Sequence, residues 1–221
     1  MTRLLVLRPQ PGADATVERA RDLGLEAVAV PLFEVEPVAW EEPNAQAFDG
    51  LLLTSANAVR LGGERLRAVR VLPVYAVGDA TAEVARAAGF DIVATGDAGV
   101  ERLLRSIDSS LKLLHLCGAD RREPTQATQE ITRVTVYRAT PVEAPDLTAA
   151  AGSVALIHSS RAGQRFAELA DSRSSIAIAA ISEAAAEAVG SGWRTVATAA
   201  RPTDDALLAL AARLCEKPDP K

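Results

Sequence analysis

The chain has 221 residues, 48% of them hydrophobic and 24% charged, with a formal net charge of -5, which suits a globular protein with one large core or two small ones. The acidic balance argues against nucleic-acid binding, which needs a basic surface, and no apolar run approaches the roughly 18 residues of a membrane span. Cys117 and Cys215 are too few and too separated for a disulfide framework or a zinc site, so no metal is expected.

Along the chain, short apolar runs alternate with alanine-rich amphipathic segments, the pattern of a parallel sheet flanked by helices. Met1-Thr2-Arg3 leads into a strand rather than an export signal, so a cytoplasmic protein is expected. Strands are expected at residues 3–7, 26–30, 50–53, 74–77, 92–94, 113–116, 133–137, 154–157, 176–181 and 195–197. Helices are expected at 14–23, 56–61, 80–88, 100–107, 125–130, 162–170, 183–189 and 204–216. Gly24, Gly89 and Gly190 punctuate helix ends, and Leu207, Leu208, Ala211, Ala212 and Leu214 recur at helical spacing in the last helix.

A passage occurs twice. Leu51-Leu52-Leu53-Thr54-Ser55-Ala56-Asn57-Ala58 aligns with Ala155-Leu156-Ile157-His158-Ser159-Ser160-Arg161-Ala162 at an offset of 104 residues. Residues 76–83 meet 180–187 at the same offset, and 87–95 meet 190–198 one residue closer. Such a period is far too long for a solenoid and marks two copies of a domain-sized unit. Two lobes imply a cleft, the usual place for a small ligand.

Proline-bearing segments at 33–43 and 138–145 sit at equivalent places in the two halves. Proline fixes φ and removes a donor, so both favour extended linkers. Either the halves are tandem domains, or both linkers are crossings, with the inner stretch forming one lobe and the chain ends the other. Periodicity leaves this open.

Thr54, Ser55 and Asn57 follow the third strand and open a helix, where side chains cap some free N–H groups and the others can face an anion. Ser159 and Ser160 occupy the same junction in the second copy. Capping alone would explain either segment; the recurrence in both favours paired anion binding. Gly78 and Thr81 lie in another strand-to-helix turn, whose single glycine does not make a dinucleotide or ATP motif. Thr203, with Asp204 and Asp205 after it, reads as a helix start. Arg8 after the first strand, and Gly118 with Arg121 and Arg122 after the sixth, sit where open α/β sheets bind ligands. Simple solvation is the alternative for each arginine. Tyr137 ends the seventh strand, where a phenol often serves packing plus one hydrogen bond. His115 and His158 have no Asp or Cys partner at motif spacing, which argues against a Ser-His-Asp triad.

Leu5-Val6-Leu7-Arg8-Pro9, Leu53-Thr54-Ser55-Ala56-Asn57-Ala58-Val59, Ala76-Val77-Gly78-Asp79-Ala80-Thr81-Ala82, Val136-Tyr137 and Pro202-Thr203-Asp204-Asp205-Ala206-Leu207-Leu208 together resemble the uroporphyrinogen-III synthase (HemD) family. The resemblance implies the interleaved option: two flavodoxin-like α/β lobes with parallel five-stranded sheets, joined by a two-stranded linker. The outer lobe would be 1–34 plus 143–221, the inner lobe 38–137, and the linkers near 35–37 and 138–142. It implies cyclisation of hydroxymethylbilane, a linear tetrapyrrole, with inversion of its last ring and release of water, and no cofactor. Tyr137 would assist departure of the hydroxyl, and Ser55, Thr81, Ser159 and Thr203 would line the cleft. Arg8, Thr54, Asn57, Gly78, Gly118 and Ser160 complete the expected substrate-binding set. A cytoplasmic monomer is implied, in transient contact with hydroxymethylbilane synthase. His158-Ser159-Ser160-Arg161, in place of a Thr-Ser-Pro-like run, and Ser182-Glu183-Ala184, in place of a glycine turn, depart from the family pattern.

The physical chemistry of the residues suits that role. A substrate with eight carboxylates needs many donors but few fixed charges, and helix N-termini supply neutral N–H groups. Positioning would be the main source of catalysis and acid assistance secondary. The main rival is a two-lobed small-molecule binding module without catalysis. A nucleotide-sugar transferase is a second rival, disfavoured by chain length and the missing phosphate-binding glycines.

Overall fold

The computed structural model describes residues 2–96, 99–120 and 127–216. In chain order the elements are β1 (Leu4–Val6), α1 (Gly12–Asp22), β2 (Ala27–Ala29), β3 (Phe33–Pro37), β4 (Gly50–Leu53), α2 (Ala56–Leu61), α3 (Leu66–Val69), β5 (Val74–Val77), α4 (Asp79–Ala87), β6 (Ile92–Gly96), α5 (Val100–Ser106), β7 (Lys112–Gly118), β8 (Glu130–Pro141), β9 (Val154–Ile157), α6 (Ser160–Leu169), β10 (Ala177–Ala180), α7 (Glu183–Ala188), β11 (Thr195–Thr198) and α8 (Asp204–Glu216). They divide into two compact units, Met1–Glu34 with Pro141–Lys221, and Val35–Thr140.

The first unit holds a five-stranded sheet in the order β11-β10-β9-β1-β2. Its pairs are parallel: Leu5 stands opposite both Val28 and Ala155, and Ile178 opposite both Ala155 and Val196. The central strands β1, β9 and β10 are buried along their whole length, as expected where helices cover both faces of a parallel sheet and strands read as continuous apolar runs. Helix α8 turns Leu207, Leu208, Leu210, Ala211 and Leu214 into the core shared with Leu4, Val6, Val154, Leu156, Ala177 and Ala179. Phe166 of α6 is fully buried and stacks on Trp193 with ring centroids 5.3 Å apart.

The second unit carries a six-stranded sheet in the order β3-β8-β7-β4-β5-β6. Strands β4 to β8 pair in parallel, with Leu52 between Tyr75 and His115. The sixth strand is the first proline-bearing segment itself. Val38 N–H donates to the Val136 carbonyl (3.0 Å) and Val142 N–H to the Leu32 carbonyl (3.0 Å), so β3 runs antiparallel to β8. Glu36 accepts from Arg138 Nε (2.7 Å) and Thr140 Oγ1 (2.9 Å) along that ladder. Both linkers are thus strands: β8 continues through residues 138–141 without a break. Prolines at Pro37 and Pro141 fall at strand ends, where the missing donor costs no ladder bond.

Two expectations are corrected: the second sheet has six strands rather than five parallel ones, because β3 joins it antiparallel, and one helix is missing among the described residues. A helix over 125–130 does not form at its described end: residues 127–129 are not helical and Glu130 begins β8. Gln129 instead is buried and its Nε2 donates to the carbonyls of Leu104 (2.8 Å), Asp108 (3.2 Å) and Ile107 (3.4 Å), closing the C-terminal end of α5. Residues 125 and 126 lie outside the described residues.

Leu52 sits fully buried in β4, one of the two central strands of the second sheet. Leu52→Ala is expected to destabilise this unit by about 2–5 kcal/mol, read as a lower urea midpoint with helix content retained in the native baseline; an unchanged midpoint would contradict the placement.

Candidate functional site

In each sheet two neighbouring strands send their onward connections to opposite sides. In the first unit these are β1, which leads to β2, and β9, which leads to β10; in the second they are β4, leading to β5, and β7, leading to β8. The carboxyl ends of such a pair bound a crevice where open α/β sheets hold ligands.

At the first crevice, Arg8 follows β1 and His158 follows β9, and both converge on Asp204 at the start of α8. His158 Nε2 lies 2.7 Å from Asp204 Oδ1, which Arg8 Nη1 approaches at 3.5 Å. On the other oxygen, Thr16 Oγ1 donates at 2.9 Å and Arg19 Nη2 also bonds. Thr16 additionally accepts from Arg8 Nη1 at 3.4 Å.

Burial acts on Asp204 to raise its pKa, but the His158 hydrogen bond, with the charges of Arg19 and Arg8, outweighs it and holds the carboxyl at about 2. Burial pushes the His158 imidazole below its ordinary value, aided by the Arg8 charge and opposed by Asp204 and the Leu156 backbone. A neutral imidazole beside a carboxylate must carry its proton on Nε2 and donate it. The absence of a partner at motif spacing was therefore misleading for His158: its Asp partner is supplied by the fold, 46 residues on. Among the described residues no group of three or more His, Cys, Asp and Glu side chains could hold a metal ion.

Ser159 accepts from Ala162 N–H (3.2 Å) as the N-cap of α6. The Ser160 hydroxyl donates to the Ala184 carbonyl (2.9 Å), which ties α6 to α7. Thr203 accepts from Ala206 N–H (3.3 Å), capping α8 as its sequence suggests.

At the second crevice, Ser55 caps α2 by accepting from Asn57 N–H (3.2 Å), and Thr54 Oγ1 lies 3.0 Å from Nε2 of the buried His115. Tyr137 does not end its strand, since β8 runs on to Pro141, but it stands opposite Gly118 at the end of β7: a Cβ on that glycine would be 2.7 Å from the Tyr137 Cζ and 3.0 Å from its hydroxyl. Burial raises the Tyr137 pKa, with Cys117 and Asp120 adding to it and a hydrogen bond with Ser55 opposing. The phenol is therefore protonated at neutral pH and able to donate. Gly78, with φ +81°, opens α4 with no side-chain cap, and Thr81 is buried one turn in. The second crevice gathers Thr54, Ser55, Gly118 and Tyr137, and the first gathers Arg8, with Ser159 beside His158. Arg121 and Arg122 lie outside the described residues. Asp204, Thr16 and Arg19 form the part of the first crevice that sequence reading missed. The clearest signal was an acidic residue directly after the Thr203 cap, which helix initiation explains equally well.

The model of the family described as "Uroporphyrinogen-III synthase HemD" matches residues 14–209. A porphyrin biosynthesis protein HemD from Ruminiclostridium josui is 31% identical over 96 residues, 39% of this chain and 19% of that protein. A uroporphyrinogen-III synthase from Chlorobaculum parvum is 32% identical over 92 residues, 38% of this chain and 37% of that protein. The matched segments thus span well under half of either relative. Among solved structures, a uroporphyrinogen-III synthetase from Helicobacter pylori has the same fold over 97% of this chain and 100% of its own, with a TM-score of 0.64 at 17% identity. A mutant uroporphyrinogen III synthase from Thermus thermophilus gives 0.57 at 16% identity, over 98% of this chain and 100% of its own.

The Asp204 cluster makes stability depend on pH. Both groups bind fewer protons folded than unfolded, so stability falls with pH as each passes below its unfolded value. The His158 contribution is complete above its ordinary 6.5 and is lost below it. The Asp204 contribution, on the order of 2 kcal/mol for a shift from 3.8 to about 2, is lost only in stronger acid. Wild-type urea midpoints should fall between pH 7.5 and 5.5, and His158→Gln should flatten that fall; equal slopes would refute the assignment. At the second crevice, Gly118→Ala should displace the Tyr137 ring and return its pKa toward 10, as read by ultraviolet difference titration against Tyr137→Phe. An unmoved tyrosine would show that the ring does not rest on Gly118.

Proposed function

Because the chain belongs to the uroporphyrinogen-III synthase HemD family, we propose that it cyclises hydroxymethylbilane to uroporphyrinogen III, inverting the last ring and releasing water. The observation that carries this reading is the family match across residues 14–209, which takes in His158, Asp204 and every proposed ligand at the two crevices except Arg8.

The residues support it chemically. In the proposed reaction the C–O bond of the terminal hydroxymethyl group breaks, and a proton from Tyr137 leaves with the hydroxyl as water. The resulting azafulvene cation closes through a spiro intermediate with the last ring inverted. The proton lost when the ring system regains aromaticity balances the one supplied, so no external oxidant or reductant is needed. A phenol whose pKa burial has raised is a weak acid, so its help is modest, and holding the chain in the conformation that closes to the inverted isomer does most of the work.

The proposed substrate ligands are Thr54, Ser55, Asn57 and Gly118 at the second crevice, Gly78 and Thr81 at the neighbouring β5–α4 turn, and Arg8, Ser159, Ser160 and Thr203 at the first. The proposed units of organisation are 1–34 with 143–221 and 38–137. The protein is proposed to act as a cytoplasmic monomer, receiving its unstable substrate in transient contact with hydroxymethylbilane synthase; no helix among the described residues is long and apolar enough to cross a membrane.

Purified protein given fresh hydroxymethylbilane should raise the ratio of uroporphyrinogen III to I above that of the unassisted reaction. An unchanged ratio would leave the binding-module reading in its place. Tyr137→Phe should lower turnover by about tenfold or less, the ordinary reach of one general acid; full activity would remove the phenol from the mechanism.

A further inference from the structure

The Asp204 carboxylate is an expensive way to join four side chains. Ionic clusters of this kind are often no more stabilising than well-packed apolar groups of the same volume, so the arrangement calls for a reason other than stability. Its geometry supplies one. The Arg8 guanidinium is fixed on three sides: by Asp204 at 3.5 Å, by Thr16 at 3.4 Å, and by the Gly12 backbone, where an added Cβ would fall 2.7 Å from Arg8 Nε and 2.9 Å from Cζ. Yet 33% of the Arg8 side chain remains exposed. Two guanidiniums face the Asp204 carboxylate, and the imidazole opposite is neutral, at the carboxyl ends of β1 and β9. A neutral His158 holds Asp204 without adding a cation that would draw an incoming anion away from Arg8. A planar guanidinium held in place loses little entropy when it pairs with a carboxylate.

We infer that Asp204 is a positioning residue: anchored by His158, Thr16 and Arg19, it pre-sets the Arg8 guanidinium at the β1–β9 crevice to receive one carboxylate of the substrate. The identity of that carboxylate rests on the proposed synthase activity; the positioning does not. Arg8 touches the ligand, and Asp204 acts through it.

A double-mutant cycle tests this, with KM for hydroxymethylbilane and, independently of turnover, the dissociation constant of the octacarboxylate uroporphyrin III read by fluorescence. Arg8→Gln should raise both about tenfold while kcat changes less than threefold. Asp204→Asn should do nearly the same, and the double variant should be no worse than Arg8→Gln alone, because residues in one network are non-additive. Multiplying effects, or an Asp204→Asn protein that is less stable but binds normally, would overturn the inference. If Asp204→Asn does not fold, Thr16→Val carries the test: it removes one Asp204 donor and one Arg8 acceptor while keeping every charge, and a roughly threefold weaker binding supports the inference while unchanged binding refutes it. Wild-type protein that binds the porphyrin and obeys the cycle without turning over the bilane would sink the synthase reading alone. Protein that does neither sinks both.

Discussion

Each sheet sets side by side two parallel strands whose connections depart in opposite directions, and the rest of the molecule depends on that reversal. Helices that follow the two strands must part, and where they part the strand ends stay uncovered. In the first unit the reversal falls between β1 and β9 and brings Arg8, His158 and Ser159 together; in the second it falls between β4 and β7 and gathers Thr54, Ser55 and Gly118. Tyr137 joins the second group because β8 lies next to β7 and Gly118 leaves room for the ring. No local sequence preference makes these sites; they follow from the order in which the strands were laid down.

The same order explains how a duplicated chain came to be interleaved. In the first unit a strand pair comes first and three strands follow, β1–β2 and then β9–β11; in the second, three come first and a pair follows, β4–β6 and then β7–β8. The layouts match if β4, β5 and β6 are equated with β9, β10 and β11, and β7 and β8 with β1 and β2. One unit is therefore a circular permutation of the other. The chain leaves the first unit through β3 and returns through β8, and pairing of these strands satisfies backbone groups that would otherwise need water.

This accounts for what could be read from sequence and what could not. The offset of 104 residues is visible because β4, α2 and β5 share local patterns with β9, α6 and β10, and apolar runs such as Leu51-Leu52-Leu53 and Ala155-Leu156-Ile157 are buried strands wherever they occur. Helix α8 was legible to the residue because cap, acidic first turn and apolar spacing agree. The linkers were legible as two extended segments suited to a paired ladder, but not as the edge of the second sheet, since where a ladder joins a sheet leaves no mark on either partner. Residues near Gln129 looked helical because a buried glutamine capping a distant helix end has no periodic signature. The Asp204 cluster was illegible for the same reason: its members come from positions 8, 16, 19, 158 and 204, and only the folded sheet gives them a common neighbour.

The two crevices share a topology but not a chemistry. The first is built on guanidiniums compensated by one carboxylate, with its imidazole kept neutral. The second offers hydroxyls, a buried imidazole bonded to one of them, and a protonated phenol. A fixed positive charge suits a carboxylate, whose affinity comes from Coulomb attraction in a partly desolvated setting. In the proposed reaction it would be harmful beside the carbon that becomes cationic when the hydroxyl departs, because like charges would raise the barrier to ionisation. Neutral donors avoid that penalty while still directing a proton.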